Sequence, residues 1–437
     1  MNIQQLRPLA WVCLAAPNAL WAATPIEELG RQLFFDTNLS SPAGQACASC
    51  HSPAAAFTDP DKSLPTSRGV ISGRFGNRNS PTAMYSKFSP TFGFDNDVNA
   101  YVGGQFYDGR AADLVAQAQG PFLNHLEMAN PDKDTVVNQV SSSSYASLFT
   151  QVFGANAFAD TNQAYLNIAI AIAAFENTSV FAPFNSKFDA FRAGRATLTA
   201  AEQRGWNLYT NANKGNCEAC HTSLTVTPSD KPLLTDFTYD NLGVPRNPNN
   251  PFYILPSSFN PDGFGFVDYG LGQTVADTSE DGKMKVPTLR NIAKTGPYMH
   301  NGYFATLKGV VHFYNTRDIK QACLNALTTE SQALSQNCWP EPEVTNNVNH
   351  DELGNLGLTN SEENDIVAFM RTLTDGYGDV DQDGDVDNSD LALIVAAKNQ
   401  NASNADDARD LNADGKIDLL DSRKLALLCT RPLCATH

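Results

Sequence analysis

Apolar residues fall along this chain in two kinds of pattern, continuous runs and stripes of helical period, and each predicts a different element. Residues 1–23 carry one positive charge at Arg7, a mainly apolar stretch from Leu9 to Leu20, and the small pair Ala22 and Ala23 ahead of Thr24 and Pro25. That three-part order predicts a cleavable export signal, and the stretch is too short to span a bilayer comfortably. A second run, AYLNIAIAIAAF at 164–175, follows a polar segment and predicts a buried core helix. The segments LGRQLFFD at 29–36 and EQRGWNLY at 202–209 instead carry apolar residues at helical spacing and predict amphipathic helices. Two shorter apolar segments, LALIVAAK at 391–398 and SRKLALL at 422–428, each follow an acidic loop and predict two more helices. The expected class is mainly α.

Composition sets the scale. The 437 residues are 42% hydrophobic and 10% aromatic, enough for two packed cores and a small appendage. A net charge of −17 disfavours nucleic acid or an anionic membrane as main partner. The acids concentrate between Asp379 and Asp421, so the last sixty or so residues form a compositional unit of their own.

Nine cysteines are present, of which Cys13 lies in the export signal. Four others form two identical signatures, CASCH with Cys47, Cys50 and His51, and CEACH with Cys217, Cys220 and His221. In C-x-x-C-H both thiols add to haem vinyl groups and the adjoining imidazole becomes the proximal iron ligand. Neither a zinc site nor a thioredoxin-type redox pair accounts for the duplicated motif with its histidine. The remaining Cys323, Cys338, Cys429 and Cys434 most simply form two local bridges in an oxidising compartment, 323 with 338 and 429 with 434. The helices at 29–36 and 202–209 each lead into a haem motif, so two haem domains in tandem are expected, 24–194 and 195–375, followed by an appendage at 376–437.

From Ile26 to about Leu373 the chain resembles the bacterial dihaem cytochrome c peroxidase family, including its MauG branch. The resemblance rests on LGRQLFFDTNLS before the first haem motif, RNSPT at 78–82, YDGRAADLVAQAQGPFLNHLEM at 107–128, AIAAFENT at 171–178 and MKVPTLRNIAKTGPYMHNGYFATLKGVVHFY at 284–314. It implies two covalent c-type haems, with hydrogen peroxide handled at the first. The positions matching the family's distal Gln and Glu are Gln117 and Glu127: the carboxylate moves a proton from the near to the far peroxide oxygen and the amide orients peroxide. Peroxidase members have a histidine between the first motif and R-N-x-P-T that caps the resting iron; here the next histidine after His51 is His125, so haem 1 is expected to be open, as in the MauG branch.

The family's sixth ligand to haem 2 lies fourteen residues after the histidine of P-Y-x-H, and counting from His300 gives Tyr314. Methionine stands there in the peroxidases, tyrosine in the MauG branch; a phenolate stabilises ferric iron and lowers the potential. His312 and Met299 are the alternative ligands. The interhaem tryptophan of W-D-G-R is here Tyr107. The resemblance also implies a calcium ion between the domains, held by the Asn79 side chain and the carbonyls of Thr295 and Pro297.

The appendage carries two twelve-residue calcium-loop patterns. The first uses Asp379, Asp381, Asp383, Asp385 and Asp390, and the second Asp410, Asn412, Asp414, Lys416 and Asp421. Side chains at the first, third, fifth and twelfth positions and a carbonyl at the seventh would surround each ion, with Gly384 and Gly415 at the turn. Asp at the twelfth position and no clear helix before the first loop resemble a dockerin pair, an EF-hand-type module. Two uses are open to it, docking on a cohesin-like partner or stapling the C terminus.

The expectation is therefore a periplasmic or secreted enzyme without a membrane span. It would reduce hydrogen peroxide with electrons from a small cytochrome c or cupredoxin. Two rivals stand beside it: MauG-like oxidation of a partner protein's side chains, and a non-catalytic dihaem electron carrier.

Overall fold

Fourteen helices and four two-stranded ribbons make up the computed structural model, which describes residues 23–223, 231–404 and 407–436. The expected export signal lies, except for Ala23, outside the described residues. In chain order the helices are α1 Pro25–Phe35, α2 Cys47–Cys50, α3 Leu114–Leu123, α4 Lys133–Ser141, α5 Ala146–Phe153, α6 Thr161–Glu176, α7 Lys187–Arg192, α8 Ala200–Tyr209, α9 Leu271–Val275, α10 Leu307–Thr316, α11 Glu330–Gln336, α12 Asn360–Arg371, α13 Asn388–Ala396 and α14 Leu419–Ala426. Among the described residues no helix is long and apolar enough to cross a membrane.

Each core is organised by one crossed helix pair, α1 on α6 and α8 on α12. Thr24, Thr199 and Thr359 cap α1, α8 and α12 through reciprocal bonds with Glu27, Glu202 and Glu362, which occupies backbone donors the helix cannot satisfy itself. At both crossings a glycine lets the backbones touch. A Cβ on Gly30 would stand 1.8 Å from the Ala171 carbonyl oxygen, and one on Gly205 would stand 1.9 Å from that of Asp365. α6 is buried nearly all round, as its apolar run predicts. The first core gathers Leu29, Leu33, Phe34, Phe122, Ile168, Ile172 and Phe181. The second gathers Phe188, Tyr209, Leu289, Ile366, Phe369 and Leu373.

α7, just ahead of the expected 194/195 division, packs with the second core, where Phe188 lies against Trp206 and Phe369. Two ion pairs hold it there: Lys187 to Glu202 at 2.8 Å, and Arg290, fully buried, to Asp189 at 2.7 Å. The chain thus passes to the second core ahead of α7.

The ribbons are short. β1 Gly93–Asp95 and β2 Ala100–Val102 form a hairpin, and β3 Tyr239–Asp240 pairs antiparallel with β4 Met284–Lys285. β5 Gln321–Ala322 runs parallel to β6 Cys338–Trp339, beside the Cys323–Cys338 disulfide. In the appendage, β7 Gln400–Asn401 pairs with β8 Lys416–Ile417, a second disulfide joins Cys429 to Cys434, and α13 and α14 share a core of Val386, Ile394, Leu411, Ile417 and Leu425. That core takes in Ala190 of α7, so the appendage is seated on the haem-domain junction.

Candidate functional site

Both C-x-x-C-H motifs end on a histidine fixed in the same way. The first lies on α2 and the second on a single helical turn at Cys217–Ala219. The backbone N–H of His51 donates to the Cys47 carbonyl at 2.9 Å, and that of His221 to the Cys217 carbonyl at 2.9 Å. Nδ1 of His51 lies 3.0 Å from the Phe57 carbonyl, and Nδ1 of His221 lies 2.9 Å from the Leu234 carbonyl. With Nδ1 committed as donor, Nε2 keeps its lone pair for a metal. Burial lowers both histidines' pKa and favours the neutral ring that ligation needs. The four motif cysteines are unpaired, and burial pushes the thiols of Cys47, Cys50 and Cys217 up to about 12.

Two threonines that sequence reading did not single out complete this frame. Thr82 Oγ1 donates to the Ala56 carbonyl and Thr288 Oγ1 to the Leu233 carbonyl, both at 2.6 Å. Each carbonyl precedes the one held by the histidine, and each threonine follows a proline, Pro81 or Pro287. The Pro-Thr pair recurring after each haem motif was the available signal.

A cavity adjoins each motif. The first is lined by Cys47, Cys50 and His51 and on other sides by Gln117, Glu127 and Glu176. Gln117 sits on α3, which starts where the Asp113 side chain accepts from the Ala116 N–H. Glu127 is not on that helix: α3 stops at Leu123, and Glu127 lies in the following turn, where Asn124 Nδ2 donates to its Oε1 at 2.8 Å. Burial raises the Glu127 pKa, and the Arg110 charge opposes that rise. His125 is exposed, with its carbonyl accepting from Arg74.

The second cavity is lined by Cys217, Cys220, His221, Met299 and Tyr314. Tyr314 reaches it from α10. Burial raises its phenol pKa, so a phenolate there requires a cation in the cavity. His312 is occupied elsewhere, with Nδ1 at 2.9 Å from Glu363 and Nε2 at 2.7 Å from Lys320. Tyr107 lines both cavities, and burial raises its pKa as well. Beside it Arg78 clamps the two halves, bonded to Asp108 and Asp268 at 2.7 Å each. This clamp was also missed, since no local pattern announces a pair so distant in sequence.

Asn79, Thr295 and Pro297 meet at one small cavity between the halves. Asn79 Nδ2 donates to the Pro65 carbonyl, and the buried Thr66 hydroxyl on the same cavity has no hydrogen-bond partner among the described residues. In the appendage, ligand atoms of Asp379, Asp381 and Asp383 lie within 4.8 Å of one another, as do those of Asp385, Asp387 and Asp390. The loops repeat in detail: Asp379 accepts from the Gly384 N–H at 3.0 Å and Asp410 from the Gly415 N–H at 2.8 Å, while Asp390 and Asp421 bond back to the loops they close. The Asp385 side chain pairs with Arg431, and Lys416 lies in β8.

The haem motifs thus have what a covalent haem needs: unpaired thiols, a neutral oriented imidazole, and a cavity alongside. A profile of the di-haem cytochrome c peroxidase family matches residues 25–197. The methylamine utilization protein MauG of Paracoccus denitrificans is 37% identical over 391 residues, covering 86% of this chain and 96% of that one. Cytochrome-c peroxidase IdrP1 of Denitromonas iodatirespirans is 31% identical, covering 84% and 86%. The crystal structure of the diheme peroxidase BthA from Burkholderia thailandensis superposes with a TM-score of 0.67 at 33% identity, over 81% of this chain and 86% of that one. With so much of both chains aligned and both haem motifs intact, the protein belongs to the dihaem cytochrome c peroxidase and MauG family, oxidoreductases of peroxidase type that carry two haem c groups.

Proposed function

We propose that this enzyme reduces hydrogen peroxide to water at haem 1, attached through Cys47 and Cys50 and ligated by His51. Cys217, Cys220, His221 and Tyr314 would hold haem 2, which would take electrons from a small cytochrome c or cupredoxin. The observation that carries the reading is that Gln117 and Glu127 share one cavity with His51. Bound haem would supply the iron and pass on the donor's electrons; the surrounding side chains supply position and protons. Glu127 accepts the proton of the near peroxide oxygen and returns it to the far one, so that water leaves. Asn124 orients that carboxylate, Arg110 favours its charged form, and Gln117 would orient peroxide by hydrogen bonding. Tyr107, lining both cavities, relays electrons between them.

Tyr314 and the 37% identity to MauG favour a second reading, in which the same site uses peroxide to oxidise side chains of a partner protein. Membership in a peroxidase family argues against the non-catalytic carrier. The haem domains, 24–194 and 195–375, are cytochrome c-like. Calcium sits with Asn79, Thr295 and Pro297 and in the two loops of the dockerin-like module, where oxygen donors converge. Residues 1–23 direct export to the periplasm, which suits the two disulfides. Because its core includes Ala190, stapling is favoured over cohesin docking.

The test begins with optical and EPR spectra of the resting diferric protein, followed by stoichiometric peroxide without reductant. A high-spin haem 1 that reacts at once and retains two oxidising equivalents supports the MauG-like reading. Reaction only after one-electron reduction supports the peroxidase. Glu127→Gln should lower peroxide turnover by about 10²–10⁴-fold with both haem spectra nearly unchanged; unaltered turnover would remove Glu127 from the chemistry.

A further inference from the structure

α6 ends at the wall of the haem 1 cavity. Its last residue, Glu176, is 6% exposed and lines the cavity with Cys47 and His51. Its Oε2 has no hydrogen-bond partner among the described residues. Two effects disfavour a carboxylate there. The side chain is buried, and the C-terminal end of a helix is itself negative. Burial pushes this carboxyl up to about 8.

The internal repeat of the fold gives that position a counterpart. A Cβ on Gly30 would meet the Ala171 carbonyl and the Phe175 Cβ, and one on Gly205 the Asp365 carbonyl and the Phe369 Cβ. Ala171 therefore matches Asp365, Phe175 matches Phe369, and Glu176 matches Met370, which lines the haem 2 cavity. At one position of a duplicated frame, the second cavity is lined by a thioether and the first by an acid. A buried carboxyl without a partner is costly where an apolar side chain fits, so its presence calls for a use.

We propose that Glu176 is the proton-exchanging residue of haem 1, a positioning residue that takes up one proton from solvent when haem 1 gains one electron and returns it when that electron leaves. The inference rests on the haem 1 assignment above. The electron comes from the reduced donor, or from a mediator in vitro; the carboxylate becomes the acid and no other bond changes. The negative carboxylate favours ferric haem 1 and the neutral acid favours ferrous.

The charged and titratable groups around Glu176 are few. Cys47 is consumed by the thioether and His51 by the iron. Glu127, Arg110 and Arg78 line other parts of the cavity. Lys87 donates to the Asn177 carbonyl at 2.8 Å just beyond α6, and Glu28 and Arg31 pair with each other on α1.

The experiment is a spectroelectrochemical titration of haem 1 in the holo-protein from about pH 6 to about pH 10, on wild type, Glu176→Gln, Glu176→Met and Glu127→Gln. In wild type the haem 1 midpoint should fall as pH rises through the ionisation of Glu176, by up to a tenfold change in equilibrium per pH unit, which is about 59 mV. That slope should vanish in both Glu176 variants and persist in Glu127→Gln. A carboxylic C=O band in the reduced-minus-oxidised infrared spectrum should accompany it and disappear in Glu176→Gln. An unchanged slope in the Glu176 variants, or its loss in Glu127→Gln alone, overturns the proposal. So does a wild-type spectrum without the carboxylic band, which decides the matter even if the variants fail to fold. A wild-type protein holding one haem, counted as pyridine haemochrome, would instead strike the haem 1 assignment.

Discussion

Replacing Gly30 by alanine puts a methyl group where α1 touches α6. The new Cβ would lie 1.8 Å from the Ala171 carbonyl oxygen and 2.9 Å from the Phe175 Cβ, where ordinary contact begins at 3.4 Å. The helices must part by roughly 1.5 Å, and a backbone carbonyl cannot rotate aside as a side chain can. Overpacking of this kind costs about 3 kcal/mol at the upper end of its usual range. Alanine returns about 1 kcal/mol through helix propensity, leaving a net loss of about 2 kcal/mol. For a unit of this size each kcal/mol moves the melting point by about 2–4 °C, so a fall of about 4–8 °C is expected. Scanning calorimetry of the holo-protein measures it, with Gly205→Ala giving a loss of the same order in the second core. Because α6 carries Ile172 and Glu176 to the cavity wall, the haem 1 spectrum should shift in Gly30→Ala only. A melting point at or above that of wild type, as propensity alone requires, would refute the close crossing.

Three further outcomes are expected. Glu127 must be ionised to accept a proton, and burial raises its pKa; kcat/KM for peroxide should therefore be full above that raised value and fall as pH drops through it. Arg110→Met removes the opposing charge and should move this acid limb to higher pH, and an unmoved limb would mean that another group governs it. Tyr314→Met should raise the haem 2 potential in a redox titration, and an unaltered potential would exclude Tyr314 as a ligand. Stripping calcium with a chelator should lower the melting point of the appendage, and Asp379→Asn with Asp410→Asn should reproduce that loss; identical melts with and without metal would empty the loops.

What was legible in the sequence was what local pattern encodes. The run at 164–175 became α6 because its residues are apolar on every side, and the haem motifs carry their chemistry in five consecutive residues. The end of α3 was less legible. No sequence pattern marked its stop at Leu123, just after Pro121, where Asn124 bonds onward to Leu126 and Glu127. The packing of α7 was not legible because its place depends on Glu202 and Arg290, partners remote in sequence. Glu176 lay within a segment quoted for its resemblance, AIAAFENT, yet its significance comes from a cavity wall and an internal repeat that no single segment displays. Glu202 is buried beside Lys187, an ion pair that no local pattern announces.

The seat of the appendage has a mechanical consequence. The chain leaves the second core at Leu373, and at Asp375 it is already tied to Tyr85 of the first half and Asn291 of the second, each at 2.7 Å. Two residues later the Tyr377 N–H donates to the Asn185 carbonyl, and its hydroxyl donates to the Leu411 carbonyl of the appendage. A pull on α14 would therefore not pay out slack chain. It would load the junction that holds the two haem cavities apart, so that any anchor gripping the appendage would hold the whole redox unit in one orientation, like a bracket and not a leash.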